Sequence, residues 1–111
     1  MTTDPAPAPV TAPRWTKEWA GHHTAICPTH AFVAHRLPTG KWLLTERPAI
    51  TVAGITVGDP AATARQDTVD TLALAKAAAA HLLAHPDDGF WAAIRAAYTA
   101  DAARRRALAD G

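Results

Sequence analysis

The turn at residues 38–40 constrains the fold of this 111-residue chain more than any other feature. It reads Pro-Thr-Gly and separates residues 31–37 from residues 41–47, and in both segments apolar and aromatic residues roughly alternate with polar ones. Such alternation is typical of strands with one buried face. Proline presets the backbone at the start of a turn, and glycine accepts a positive φ where the chain leaves it. The sequence therefore predicts a β-hairpin.

A second β-rich segment follows this hairpin. Pro48 is expected to end the second strand, because proline cannot donate to a strand ladder. Residues 50–57 then carry alternating β-branched residues, but the alternation slips by one position at Ala53 and Gly54. A slip at glycine indicates either a bulge or a two-residue turn. The segment is thus expected to be one bent strand or a very short second hairpin.

Two helices of unlike character are predicted after residue 67. The first is rich in alanine and runs from about Thr68 to His85, with Asp67 or Thr68 as its N-cap. Helical projection gives it a core stripe with the following members: Val69, Leu72, Ala75, Lys76, Ala79, Ala80 and Leu83. After a break at residues 86–89, a second helix runs from about residue 88 to residue 109. Its apolar face consists of Phe90, Trp91, Ile94, Ala97 and Tyr98.

The start of the chain divides into a tail and a short helix. Residues 1–13 are rich in alternating proline and are expected to form a disordered tail. Residues 14–20 are expected to form two helical turns with Trp15 and Trp19 on one face. Residues 14–111 then form one α+β domain. Its sheet is expected to have two to four mainly antiparallel strands, the hairpin plus the bent strand, packed on the alanine-rich helix and followed by the second helix.

Composition narrows the class of protein. A single cysteine, Cys27, excludes an internal disulfide and fits a reducing, cytoplasmic location. No secretion signal or membrane span is expected. The formal net charge of +1 neither requires nor excludes a nucleic-acid partner.

Histidine and cysteine supply the candidates for metal binding and catalysis. Four residues that can bind zinc lie within nine positions: His22, His23, Cys27 and His30. No second ligand pair of the usual spacing completes a zinc site, and no third residue is apparent that would orient a Cys–His pair for nucleophilic catalysis. The protein is therefore expected to bind no cofactor or metal and to have no enzymatic activity, although a zinc site at these four residues stays open as a further interpretation.

Two kinds of binding are left open. The first is binding of a protein partner, or of further copies of the chain, because tryptophan is enriched at binding hot spots. The residues expected to carry it are Trp15, Trp19, Phe90, Trp91 and Tyr98. The alternative is binding of nucleic acid, through basic residues that contact phosphate beside an aromatic ring that stacks on a base. The residues expected to carry it are Arg36, Lys41, Trp42, Arg47, Arg104, Arg105 and Arg106.

Three features of residues 31–83 are typical of a known small module: residues 40–44, which read Gly-Lys-Trp-Leu-Leu, the stop at Pro48, and the capped helix start at residues 67–68. On these features, residues 31–83 resemble the HicB-type antitoxin module. The chain also resembles small proteins of actinobacterial phages and integrative elements. These resemblances imply a small regulatory protein of a mobile element, and they assign a role to no individual residue.

Overall fold

The computed structural model describes residues 13–110, so the predicted tail lies almost wholly outside the described residues. The described residues form six strands, two α-helices and one 3-10 turn. In chain order these are β1 Thr16–Trp19, β2 His22–Ile26, β3 His30–Arg36, β4 Trp42–Val52, β5 Ile55–Gly58, β6 Arg65–Val69, α1 Leu72–Ala84, the 3-10 turn Pro86–Asp88, and α2 Phe90–Asp110.

All six strands join one curled antiparallel sheet. Strands β1 to β4 follow one another in order, and β4 is long enough to have two partners on its far side. Strand β6 pairs with the first half of β4, and β5 pairs with the second half. The α+β class is as predicted, but the prediction of two to four strands is wrong. Strands β1, β2 and β6 were missed because each buries at most one residue and shows little apolar alternation.

The predicted helix at residues 14–20 is also wrong, since this segment contains strand β1. Its two tryptophans do not share a face. Lys17 pairs with His23, whereas Trp19 pairs with His22, so the register shifts between these positions. Neighbouring strand residues point to opposite faces, and the shift therefore turns Trp19 away from the face that carries Lys17 and, two residues earlier, Trp15.

Strand β4 passes through Pro48, where the sequence predicted a stop. Pro48 lies at the junction between the two partner strands, because the β6 ladder ends at Glu46 and the β5 ladder begins at Ala49. The missing N–H therefore removes little pairing, and the Pro48 carbonyl still accepts a hydrogen bond from the Asp59 amide at 2.8 Å.

Residues 50–57 form the short hairpin rather than the bent strand. The turn residues Ala53 and Gly54 both have positive φ, 53° and 81°. This is the pattern of a type I′ turn, whose twist matches that of the strands it joins. The phase slip in the sequence is therefore the turn itself.

Replacing Ala53 with glycine is expected to raise the free energy of unfolding by about 0.5–1 kcal/mol. Left-handed backbone costs an L-residue about 1–2 kcal/mol, and the larger unfolded-state entropy of glycine offsets part of the gain. Urea denaturation measures the change. The matched control is Gly54→Ala, because a Cβ at Gly54 meets no atom within 4 Å and its cost is purely conformational. This control should be destabilised, and a gain in stability there would contradict the turn assignment.

Helix α1 begins at Leu72, four residues after the predicted start, because residues 65–69 belong to β6. The N-cap is Thr71, whose hydroxyl accepts a hydrogen bond from the Leu74 amide at 3.1 Å, and not Asp67 or Thr68. The buried face also differs from the predicted stripe and consists of Leu74, Ala75, Ala78, Ala79 and Leu82. An alanine-rich helix is weakly apolar all round, so its sequence hardly distinguishes one face from another.

Helix α2 matches its predicted bounds to within two residues and packs against α1. Phe90, Ile94 and Ala97 of the predicted apolar face are buried, whereas Trp91 is half exposed. The core combines these side chains with Phe32, Leu44 and Val69 of the sheet, and seven of its fifteen buried members are alanines. These small side chains allow the helices to approach the sheet closely. Neither helix in residues 13–110 is both long and apolar enough to cross a membrane.

Candidate functional site

An exposed apolar surface lies on the hairpin formed by residues 49–58, here called the arm. Ile50 lies opposite Val57, and Val52 lies opposite Ile55, so these four β-branched side chains share one face of the arm. Val52, Ile55 and Val57 are 57%, 64% and 39% exposed. No residue of the arm carries a charge. Contiguous exposed apolar surface of this kind marks interaction sites in soluble proteins.

The other face of the arm is polar and adjoins a shallow cavity. Thr51 and Thr56 lie opposite each other, with their hydroxyl oxygens 2.9 Å apart. They line the cavity together with Ile26, Cys27 and Pro28. Burial raises the pKa of the Cys27 thiol, which keeps it protonated and makes it a poor nucleophile at neutral pH.

Strand β5 presents its second edge to the outside of the sheet. Among residues 13–110, β4 is the only strand that pairs with β5. Soluble proteins protect such edges with charges, prolines or bulges. The strand reads Ile-Thr-Val-Gly and contains no charge or proline. The arm therefore combines an unprotected edge with an exposed apolar face.

A second surface combines positive charge with aromatic rings and is here called the basic patch. It consists of Trp15, Lys17, His23, Trp42 and Lys76. The His23 ring lies 5.6 Å from that of Trp42, and the Lys76 ammonium lies 6.0 Å from the centre of the Trp15 ring. Burial lowers the pKa of His23, and the charges of Lys76, Lys17 and His22 lower it further. Two lysine charges therefore act on this part of the surface.

A buried carboxylate lies at the centre of the sheet. Glu46 is fully buried, and its Oε2 lies 2.9 Å from Nδ1 of His30. Its Oε1 lies 3.1 Å from Nε of Arg65, but no well-aligned hydrogen bond from residues 13–110 reaches that oxygen. Sequence reasoning missed this cluster. The available signal was the alternation of side chains along a strand. Glu46 lies two residues from Leu44 and four from Trp42, so all three share one face of the strand.

The structure disperses the aromatic residues that were predicted to bind a partner. Trp15 packs at the margin of the core, 6.3 Å from Phe32, whereas Trp19 is 60% exposed and stacks on His22 at 4.1 Å. Phe90 is buried and contacts the exposed Trp91 edge-on. The hydroxyl of Tyr98 accepts a hydrogen bond from the Asp70 amide at 3.0 Å.

The basic residues of the central hairpin are likewise divided. Arg36 is exposed and pairs across the strands with Trp42. Lys41 lies 3.3 Å from the Asp70 carboxylate. Arg47 lies on the other sheet face from Trp42, and its guanidinium donates to a backbone carbonyl in the loop that follows β5. Only Arg36 and Trp42 are thus brought together.

The three arginines near the end of α2 lie far along the chain from this hairpin. Arg104 and Arg105 both form ion pairs with Asp101 on the same helix. Arg106 is exposed. Two of the three charges are therefore partly neutralised within one helical turn.

The residues considered for zinc lie apart as well. His22 faces His35, with their Nδ1 atoms 3.3 Å apart, while His23 contacts Trp42 and His30 contacts Glu46. In the part of the chain that the structure describes, no three histidine, cysteine or acidic side chains are grouped so as to hold a metal ion. Comparisons of the chain with protein-family models, curated proteins and solved structures gave no match.

Proposed function

We propose that this protein is a non-enzymatic interaction protein that binds a protein partner through the arm. The observation that carries the proposal is the coincidence, on one short hairpin, of an exposed apolar face, no charge, and a strand edge that no other strand of residues 13–110 pairs with. Proteins that bind by strand addition use these same features: the edge supplies backbone hydrogen bonds, and alternate side chains supply specificity.

The energetics of the arm support binding of moderate strength. Complete burial of a valine or isoleucine side chain contributes about 1.5–3 kcal/mol. Val52, Ile55 and Val57 are each roughly half exposed, so covering all three contributes about 2–4 kcal/mol. The rest of the binding free energy must come from backbone hydrogen bonds at the strand edge. The two exposed tryptophans, Trp19 and Trp91, are single side chains outside the arm and offer no comparable surface.

Site-specific photocrosslinking in cells that express the full chain tests this proposal. A photoreactive amino acid is placed at Ile55 on the arm or, as a matched control, at Ala103 on the exposed face of α2. We expect one discrete adduct from position 55, lost when Val57 is replaced with lysine, and none from position 103. Absence of an adduct at position 55, or the same adducts at both positions, would contradict a binding role for the arm.

The basic patch supports binding of nucleic acid as a second candidate function. Two lysines, a histidine and two tryptophans are grouped there, and, after burial, the charges of Lys76 and Lys17 lower the pKa of His23. Such a group can contact phosphate and stack on a base. Of the residues predicted for this role, the patch contains only Trp42, and Arg36 is its cross-strand neighbour.

A salt titration tests the nucleic-acid candidate. Fluorescence anisotropy with random single-stranded and duplex oligonucleotides should show affinity that falls as salt rises, because phosphate contacts release counterions. Replacing Lys17 and Lys76 with glutamine should reduce the salt slope by about 1–2. Replacing Arg104 and Arg105 with glutamine serves as the control and should change it little. No binding at low salt would exclude this function.

A further inference from the structure

We propose that the partner of the arm is a second copy of this chain, whose β5 pairs antiparallel with β5 of the first. The inference rests on the proposed role of the arm as a binding surface. The two strands would meet around a two-fold axis at Thr56. The same residues of both copies then form the interface, which is the usual arrangement in symmetric dimers.

The arm already contains the required pairing. Residues 50–52 and residues 55–57 both read Ile-Thr-Val, and within one chain they pair antiparallel. Isoleucine lies opposite valine at both ends, and Thr51 lies opposite Thr56 in the middle. A second copy offers the same tripeptide to the outer edge of β5. The proposed contact therefore repeats a set of side-chain pairs that the fold itself uses.

The backbone of β5 is oriented for this contact. In an antiparallel ladder, pairs that exchange hydrogen bonds alternate with pairs that do not, and the pair beside a two-residue turn is bonded. Val52 and Ile55 flank the turn, so they form a bonded pair, and every second pair from there is bonded as well. The bond from the Asp59 amide to the Pro48 carbonyl falls where this alternation places a bonded pair. The N–H and C=O of Thr56 therefore point away from β4. On a two-fold axis, they would bond reciprocally to Thr56 of the second copy.

The absence of charge favours self-association, and the small size of the contact predicts that the dimer is weak. Two copies of an arm without charged residues meet no like charges at the axis. Pairing would bring Ile55 beside Val57 of the other copy and would join eight β-branched side chains on one face of a four-stranded sheet. Because β5 has four residues, this contact should bury far less than the ~800 Å² per partner of a standard complex. The dimer should consequently be weak and depend on protein concentration.

Disulfide trapping tests the geometry. Opposed residues in a bonded antiparallel pair have Cα atoms about 5.5 Å apart, within the range that a disulfide spans. Thr56→Cys should therefore link two copies under mild oxidation. In the control Ile55→Cys, the two cysteines lie diagonally, beyond about 7 Å, and should not link. Both variants need a Cys27→Ala background, because Cys27 lines the same cavity as Thr56.

Sedimentation equilibrium supplies a second measurement. The wild-type chain should show a monomer–dimer equilibrium, and Thr56→Lys should weaken it at least tenfold, since two like charges then meet at the axis. Thr51→Lys, one strand further from the axis, should have a smaller effect. A wild-type chain that stays monomeric up to millimolar concentration would overturn the proposal. Linking of Ile55→Cys but not Thr56→Cys would also overturn it, because that result indicates packing of the apolar faces.

The photocrosslinking result separates this inference from the proposed function. An adduct at position 55 that contains a different protein, together with a monomeric wild-type chain, would refute the second copy and retain the arm as a binding surface. No adduct of either kind would refute both. An adduct of twice the chain mass, lost in Thr56→Lys, would support both.

Discussion

Replacement of Arg65 with methionine is expected to lower the free energy of unfolding by about 2 kcal/mol. Glu46 is fully buried, and its two oxygens lie near His30 and Arg65. Removing one partner of a buried charge typically costs 3–5 kcal/mol, because the remaining charge has lost both water and its counterion. We place the cost below that range because Arg65 is 43% exposed, so water screens its charge, and because Glu46 keeps the contact with His30.

Glu46→Leu should cost less than Arg65→Met, although it removes the central member of the cluster. Arg65 is 43% exposed, so its guanidinium can turn to water once the carboxylate is gone. Urea denaturation of both variants measures the difference. The control is Arg106→Met on the exposed part of α2, which should stay within about 0.5 kcal/mol of the wild type. If Glu46→Leu costs as much as Arg65→Met, the cluster stabilises the fold through favourable pairing and not merely by avoiding an isolated charge.

The parts of the fold that the sequence predicts are those specified by local chemistry. The hairpin of β3 and β4 forms because Pro38 and Gly40 meet the demands of its turn and the flanking residues alternate. The second hairpin was one of two alternatives, and the choice depended on Ala53 adopting a conformation that alanine rarely adopts. Local preference alone could not make that choice.

The strands that the sequence does not predict are held by their partners. Strand β6 reads Arg-Gln-Asp-Thr-Val and buries only Val69, so no periodicity distinguishes it from a loop. It is a strand because β4 offers it an edge. Likewise β1 reads Thr-Lys-Glu-Trp with every side chain exposed, and only pairing with β2 favours an extended backbone over the predicted helix.

The candidate site was only partly predictable for the same reason. The β-branched pattern of residues 50–57 is visible in the sequence, but a similar pattern describes a buried strand. Within residues 13–110, the arm is exposed because β6 and the helices cover the first half of β4 and leave the second half uncovered. The four tryptophans were the more conspicuous feature, yet two of them, Trp15 and Trp42, pack at the margin of the core.

Phe32→Ala is expected to lower the free energy of unfolding by about 3–5 kcal/mol. Phe32 is completely buried on β3, and its ring lies 6.3 Å from that of Trp15 and 5.8 Å from that of His30. Truncation loses the transfer free energy of the ring and leaves a cavity between sheet and helices. The seven alanines of the core have no side-chain length with which to fill it. Since domains of this size are stable by about 5–15 kcal/mol, the truncation removes a large share of the total stability.

Two matched variants make the Phe32 result specific. Ile26→Ala removes an apolar side chain that is half exposed on the neighbouring strand, and it should cost less than about 1 kcal/mol. Phe32→Leu retains most of the volume and should cost far less than alanine, because cores tolerate apolar replacements of similar size. Thermal unfolding followed by tryptophan fluorescence compares all three, with Trp15 as a reporter close to the cavity. Residue 32 should be the more costly to truncate because it lies in the core that the sheet and helices share. Equal losses for Phe32→Ala and Ile26→Ala would therefore contradict this shared core.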